Sequence, residues 1–255
     1  MSNFDEQNLK TKVKSMYKDV AEKPNGDFHF EMGRSLAERL GYKPEELDRT
    51  PAEAVESFAG VGNPFEVAHI TEGVRVLDVG SGSGMDVFVA SQRTGSTGSV
   101  IGVDMTDEQL EKSRNLISEG SFSNVEFTFG IAEKLPFDDG EFDTVISNGV
   151  INLSPHKHMV FEEISRVLKP GGCMAISDIV SEKPLVDDIK TNTDLWAACI
   201  GGAMQIDEYK QLIQDAGMEI NDVRDNTQYN FISSSAQGAS KEYGVKSVTI
   251  CAHKS

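Results

Sequence analysis

The chain has 255 residues, 38% hydrophobic and 25% charged, which allows one large or two small domains around a buried core and argues against wholesale disorder. Its 24 Lys and Arg against 41 Asp and Glu give a formal net charge of −17 with no basic cluster, so neither nucleic acid nor an anionic membrane surface is an expected partner. No run approaches the ~20 apolar residues of a membrane span, and the start Met1-Ser2-Asn3-Phe4-Asp5-Glu6 lacks the basic and apolar stretches of a secretory signal, so a cytoplasmic location is expected.

Residues 1–70 read as a helical cap. Lys10 to Val20 carries Val13, Met16, Tyr17 and Val20 at amphipathic-helix spacing, and Pro24-Asn25-Gly26-Asp27 breaks the pattern. A second helix is predicted over Glu31 to Leu40, where Met32, Leu36 and Leu40 share a stripe and Gly41 suits the cap. Asn63-Pro64 is a turn that closes the zone.

From residue 71 the pattern becomes alternating strands and helices. Strands are predicted at Val74 to Val79, Ser99 to Val103, Val125 to Phe129, Thr144 to Ser147 and Cys173 to Ile179. Helices are predicted at Met85 to Gln92, Glu108 to Ile117 and His158 to Leu168, the last stopped by Pro170-Gly171-Gly172. Two more helices, Asp187 to Ile200 and Asp207 to Ala216, precede strands at Met218 to Val223 and Lys246 to Ala252. Residues 226–244, rich in Ser, Asn and Gly, read as a loop, either solvated or a flap over a site. The expected architecture is α/β: a doubly wound, mostly parallel, seven-stranded sheet over 71–255 with the helical cap in front. The three cysteines, Cys173, Cys199 and Cys251, form no CxxC pair, so neither a disulfide framework nor a structural metal site is indicated.

The most informative segment is Val76-Leu77-Asp78-Val79-Gly80-Ser81-Gly82-Ser83-Gly84. A buried strand enters three alternate glycines and then a helix, so backbone can turn sharply and approach a ligand. Met85 stands where a dinucleotide fingerprint needs its third glycine, and no Lys-Ser or Lys-Thr completes a phosphate-binding Walker loop. An acid before such a loop suits a ligand with a cationic amino-acid end: Asp78 can meet an ammonium, directly or through water. Asp104, 20 residues beyond Gly84 at the end of the second strand, can accept hydrogen bonds from two ribose hydroxyls. Ile131 can lie against an adenine face, and Asn148 ends the fourth strand, where a doubly wound sheet opens its crevice.

Asp78-Val79-Gly80-Ser81-Gly82-Ser83-Gly84, Asp104, Ala132-Glu133-Lys134-Leu135-Pro136-Phe137 and Arg166-Val167-Leu168-Lys169-Pro170-Gly171-Gly172 together resemble a class I S-adenosylmethionine-dependent methyltransferase. Leu40-Gly41-Tyr42, Gly62-Asn63-Pro64, Val103-Asp104-Met105-Thr106, Ser147-Asn148-Gly149-Val150-Ile151-Asn152-Leu153-Ser154-Pro155 and Cys199-Ile200-Gly201-Gly202-Ala203 are similar to its arsenite methyltransferase branch. The resemblance implies S-adenosylmethionine as cofactor, bound by Asp78, Gly80, Ser81, Gly82, Gly84, Asp104, Met105, Ile131, Ala132, Glu133 and Asn148. That branch binds trivalent arsenic through cysteine thiolates, soft ligands for a soft centre. Here Val61 and Gly149 stand where two of those cysteines are expected, and only Cys199 matches.

The expected reaction is in-line methyl transfer to a small-molecule acceptor, a soft S, Se or metalloid centre or another heteroatom, by a monomer or homodimer. Tyr17, Asn148 and Cys199 are the candidate catalytic residues, and His29, Gly149, Trp196 and Cys199 the candidate acceptor pocket. A hydroxyl or amine acceptor would need a base, for which His29, His156, His158 and Tyr17 are candidates. Two other readings stay open: an arsenite methyltransferase with a reduced cysteine set, and a donor-binding sensor without catalysis.

Overall fold

The computed structural model describes residues 5–120, 122–192, 195–196 and 199–255. The first helix, α1, spans Glu6–Glu22, longer than its apolar stripe implies, because Asp5 accepts the Asn8 N–H and caps it. The second, α2, is Arg34–Arg39: it starts three residues later than the pattern suggests because Gly33, at φ +81°, cannot continue a helix backwards. Two short helices not read from the sequence follow, α3 (Pro44–Leu47) and α4 (Ala52–Glu56).

The sheet strands are β1 (Arg75–Val79), β2 (Ser99–Asp104), β3 (Val125–Phe129), β4 (Phe142–Asn148), β5 (Leu168–Ser181), β6 (Met204–Gln205), β7 (Met218–Asp225) and β8 (Lys246–Lys254). They pair in the order β3-β2-β1-β4-β5-β8-β7, with β6 attached to β5. The expected seven strands are therefore joined by an eighth of two residues. Pairing is parallel from β3 through β5, whereas β8 runs antiparallel to both β5 and β7.

Helices α5 (Met85–Thr94), α6 (Asp107–Glu119), α7 (Lys157–Val167) and α9 (Ile206–Asp215) flank the sheet, with the short α8 (Asp187–Lys190) before β6. Alternate strand residues feed two cores. Val76, Val100 and Ile146 pack with Val87, Phe88 and Leu110 on one face. Leu77, Val79 and Val145 pack with Phe161, Ile164 and Tyr209 on the other. Both faces being covered explains the near-continuous apolar runs of the parallel strands. The N-terminal helices join the first core through Leu36, Leu40, Tyr42 and Val55.

Two expectations need correction. Residues 226–244 are not all loop, because α10 occupies Ser234–Tyr243. Ser233 caps it, Ala236 and Ala239 are its buried side, and Gly244, at φ +65°, ends it; small and polar residues hid that helix from a search for apolar stripes. The helix expected over Asp187 to Ile200 is four residues long at its start, and residues 193–194 and 197–198 lie outside the described residues.

Candidate functional site

The strand order reverses direction between β1 and β4, which opens a crevice beyond their carboxyl ends. The glycine loop sits there. Gly80 and Ser81 donate their N–H groups to the Val103 carbonyl at 2.8 and 3.0 Å, so the loop is stitched to β2. Gly82 donates its N–H to Asp104 Oδ2 at 2.9 Å, and Asp104 Oδ1 accepts the Thr106 N–H at 2.8 Å. Burial raises the Asp104 pKa, and these N–H groups oppose the rise.

Beneath this loop lies a cavity of about 590 Å³. Every residue expected from sequence to hold the donor lines it: Asp78, Gly80, Ser81, Gly82, Gly84, Asp104, Met105, Ile131, Ala132, Glu133 and Asn148. Asp78 is 3% exposed and accepts no hydrogen bond among the described residues. Its carboxyl is pushed up by burial first, then by the nearby Asp86 and Asp104.

Several lining residues were not read from the sequence. Helix α1 forms one wall through Leu9, Val13 and Val20 as well as the expected Tyr17. It is tied down where Gln109 Nε2 donates to the Tyr17 carbonyl at 2.7 Å and Lys18 pairs with Glu108 at 2.5 Å. Gln109 also accepts from Ser83 Oγ, so one side chain links α1 to the glycine loop. Asp86 is a second buried carboxylate: its two oxygens accept from Tyr42 OH at 2.7 Å and Asn148 Nδ2 at 3.1 Å. Burial raises its pKa to about 6, against the lowering by those two donors. No sequence signal marks this network, because Tyr42, Asp86 and Asn148 come from separate elements.

Asn148 is heavily engaged. Its Oδ1 accepts from Val61 and Gly62 N–H, and its Nδ2 also donates to the Gly62 carbonyl at 3.0 Å and Tyr42 OH at 3.1 Å. It therefore positions the 61–62 turn beside the cavity rather than offering a free group to an acceptor.

The four residues expected to form an acceptor pocket do not line this cavity. His29 packs edge-on against its neighbour Phe30, with ring centroids 4.7 Å apart. Trp196 packs against Leu9 and Val13 of α1, donates its indole N–H to the Lys190 carbonyl at 2.6 Å, and carries Lys157 Nζ over its ring. Gly149, at φ +75°, faces Val61, whose Cγ1 lies 3.3 Å from where a Cβ would stand. Cys199 is buried with Val61 in a third apolar cluster, has φ +61°, and burial pushes its thiol up to about 12. Tyr17 connects the two regions. It borders the cavity, and its phenol is pushed well up by burial, then by Cys199, Tyr229 and Asp104 nearby. Of the histidines named as bases, His156 reaches the cavity rim paired with Glu6 at 3.1 Å, and His158 is exposed.

The sequence profile of the family described as "Methyltransferase domain" matches residues 70–217. The arsenite methyltransferase of Halobacterium salinarum is 42% identical over 185 residues, 72% of this chain and 47% of that protein. Human arsenite methyltransferase is 37% identical over 182 residues, 68% of this chain and 48% of that protein. The chain thus spans about half the length of the curated relatives it matches. The crystal structure of an arsenic(III) S-adenosylmethionine methyltransferase from Chlamydomonas reinhardtii aligns with a TM-score of 0.66 at 31% identity, covering 88% of this chain and 74% of that one. With more than half of its length matched by the methyltransferase-domain profile and 88% of it covered by that crystal structure at 31% identity, the chain belongs to the S-adenosylmethionine-dependent methyltransferase family.

Proposed function

We propose that the chain transfers a methyl group from S-adenosylmethionine to a small-molecule acceptor that brings its own nucleophile. Asp78 carries this reading. A carboxylate buried without a protein partner is costly unless a cation meets it, and the ammonium of the donor's amino-acid end is such a cation. The rest of the cavity fits the same molecule. Backbone N–H groups at the start of α5 suit its carboxylate. Asp104 has used one lone pair of each oxygen on backbone N–H groups and keeps others for the ribose hydroxyls. Ile131, with Met105, offers an apolar surface to the adenine.

When bound, the donor supplies a sulfonium-activated methyl, so the chain's task is positioning. Holding reacting atoms in near-attack geometry can supply ~7–11 kcal/mol. Tyr17, at the junction of the cavity with the Cys199 and Tyr229 region, is the residue best set to orient an acceptor. Burial keeps its phenol and the Cys199 thiol protonated near pH 7, so neither is a ready base. An acceptor that is already a soft anion or a lone-pair donor suits such a site better than a hydroxyl needing deprotonation.

Arsenite methylation is the second reading, favoured by the 42% identity to the Halobacterium salinarum arsenite methyltransferase. Against it, Val61 and Gly149 carry no sulfur, and a thiol raised to about 12 is a poor soft ligand until something removes its proton. Donor consumption measured with thiols, selenols, trivalent arsenicals, amines and phenols, with mass spectrometry of the product, separates these readings. Methylation of a thiol or selenol without arsenic turnover is expected. Arsenic-dependent turnover lost in Cys199→Ser would install the second reading, and donor binding with no product from any acceptor class would leave a non-catalytic sensor.

A further inference from the structure

We propose that Cys173, Cys251 and His253 form a binding site for a thiophilic divalent cation, zinc above all, at the end of the sheet remote from the donor cavity. The ligating atoms of the three residues all lie within 4.8 Å of one another, and the two sulfurs stand 3.6 Å apart. Two thiolates on one tetrahedral zinc, at Zn–S of ~2.3 Å, are separated by about 3.8 Å. The pair is therefore already spaced for a shared cation, whereas a disulfide would require the sulfurs to close to about 2.05 Å.

Strand pairing builds the set. In the antiparallel β5–β8 ladder Cys173 lies opposite His253 and Ala175 opposite Cys251. Residues 251 and 253 alternate onto one face of β8, beside Cys173 on β5. The next strand adds a support. The β7–β8 register shifts between Ile220 and Asp222, and the intervening Asn221 places its Oδ1 2.5 Å from His253 Nδ1. That oxygen accepts the Nδ1 proton and leaves the Nε2 lone pair for a metal, the arrangement by which ligating histidines are commonly oriented. Two thiolates and a neutral imidazole suit zinc by softness, and the half-buried His253 leaves room for water as a fourth ligand. On binding, both thiols lose their protons to solvent, so the cation's two charges are balanced. Spacing along the chain conceals this site, since Cys173 and Cys251 are 78 residues apart.

Cobalt(II), a spectroscopic substitute for zinc, tests the proposal on the reduced, metal-free full chain. Thiolate-to-cobalt charge-transfer absorption should appear at one equivalent and be displaced by zinc. It should persist in Cys199→Ser and weaken at least tenfold in Cys173→Ser and in His253→Ala. Donor binding by calorimetry, read at the opposite end of the sheet, reports whether each variant is folded and is expected to be unchanged. Absence of the band, or a band that survives Cys173→Ser in folded protein, overturns the proposal. Tight capture of phenylarsine oxide by Cys173 and Cys251 without cobalt or zinc binding would also overturn it, because the pair would then be a dithiol trap rather than a site for a divalent cation.

Discussion

Asp104 at the end of β2 accepts the Gly82 N–H at 2.9 Å, so one carboxylate fixes the loop beyond β1 while facing the cavity that the loop covers. A side chain with both duties couples loop geometry to ligand binding. In the proposed function, the carboxylate offered to the ribose is also the one that holds the glycine-loop backbone in place.

Asp104→Ala leaves the Gly82 and Thr106 N–H groups without their acceptor and removes the ribose contact together. Donor affinity should fall at least tenfold, ~1.4 kcal/mol, with a lower melting temperature as well. Isothermal titration calorimetry showing unchanged affinity would refute the assignment.

Two glycines of the loop should respond differently to side chains. At Gly82, φ is +51° and an added Cβ would meet only the Gln109 amide, at 3.7 Å. Gly82→Val should therefore stay folded, at a strain of ~1–3 kcal/mol, while donor binding is lost. At Gly80 an added Cβ would lie 2.3 Å from Val150, so even Gly80→Ala should lower the melting temperature more than a change at 82. Normal donor binding by Gly82→Val would mean that the loop does not approach the donor.

The two buried carboxylates make predictions about pH. Between the ordinary aspartate range and about 6, the folded protein keeps a proton on Asp86 that the unfolded chain has released, so the stability of the ligand-free protein should fall as pH rises through that window. Donor affinity should move the other way. The raised Asp78 pKa leaves more of it protonated in mild acid, and only its carboxylate attracts an ammonium, so binding should tighten with rising pH by up to tenfold per unit. Asp78→Asn should flatten most of that slope, weaken binding, and raise the melting temperature of the free protein. Calorimetry between pH 5 and 8 checks the first two outcomes, and thermal unfolding checks the third.

Val61 and Gly149 face each other where the arsenite methyltransferase resemblance expects thiols. Gly149→Cys alone should destabilise the fold, because φ is +75° and the new Cβ would press on Val61 at 3.3 Å. Combining it with the slimmer Val61→Cys should relieve the contact and set two thiols near Cys199. Trivalent arsenic should bind the double variant at least tenfold more tightly than the parent. Equal affinity in equilibrium dialysis would show that these positions do not form the acceptor wall.

The residues of the proposed donor site were legible because their signals are local. Asp78 and the alternate glycines fall within one strand–turn–helix unit, and Asp104 ends the next strand, so topology alone brings them to one edge. The residues named for an acceptor have no such local signal. Trp196 and His29 read as pocket residues by type, but which neighbours they meet, Leu9 and Val13 for one and Phe30 for the other, follows from packing.

The sequence by itself determined the alternation of the main strands and helices, the crevice at the end of the fourth strand and the glycine loop and acids that border it, since backbone conformation and apolar periodicity act over a few residues. Tertiary structure alone decided that α1 closes the cavity, that Tyr42, Asp86 and Asn148 form one hydrogen-bonded network, and that Cys173 meets Cys251 and His253. Such meetings join residues tens of positions apart, and they follow from how sheet and helices pack rather than from any preference written into the neighbouring chain.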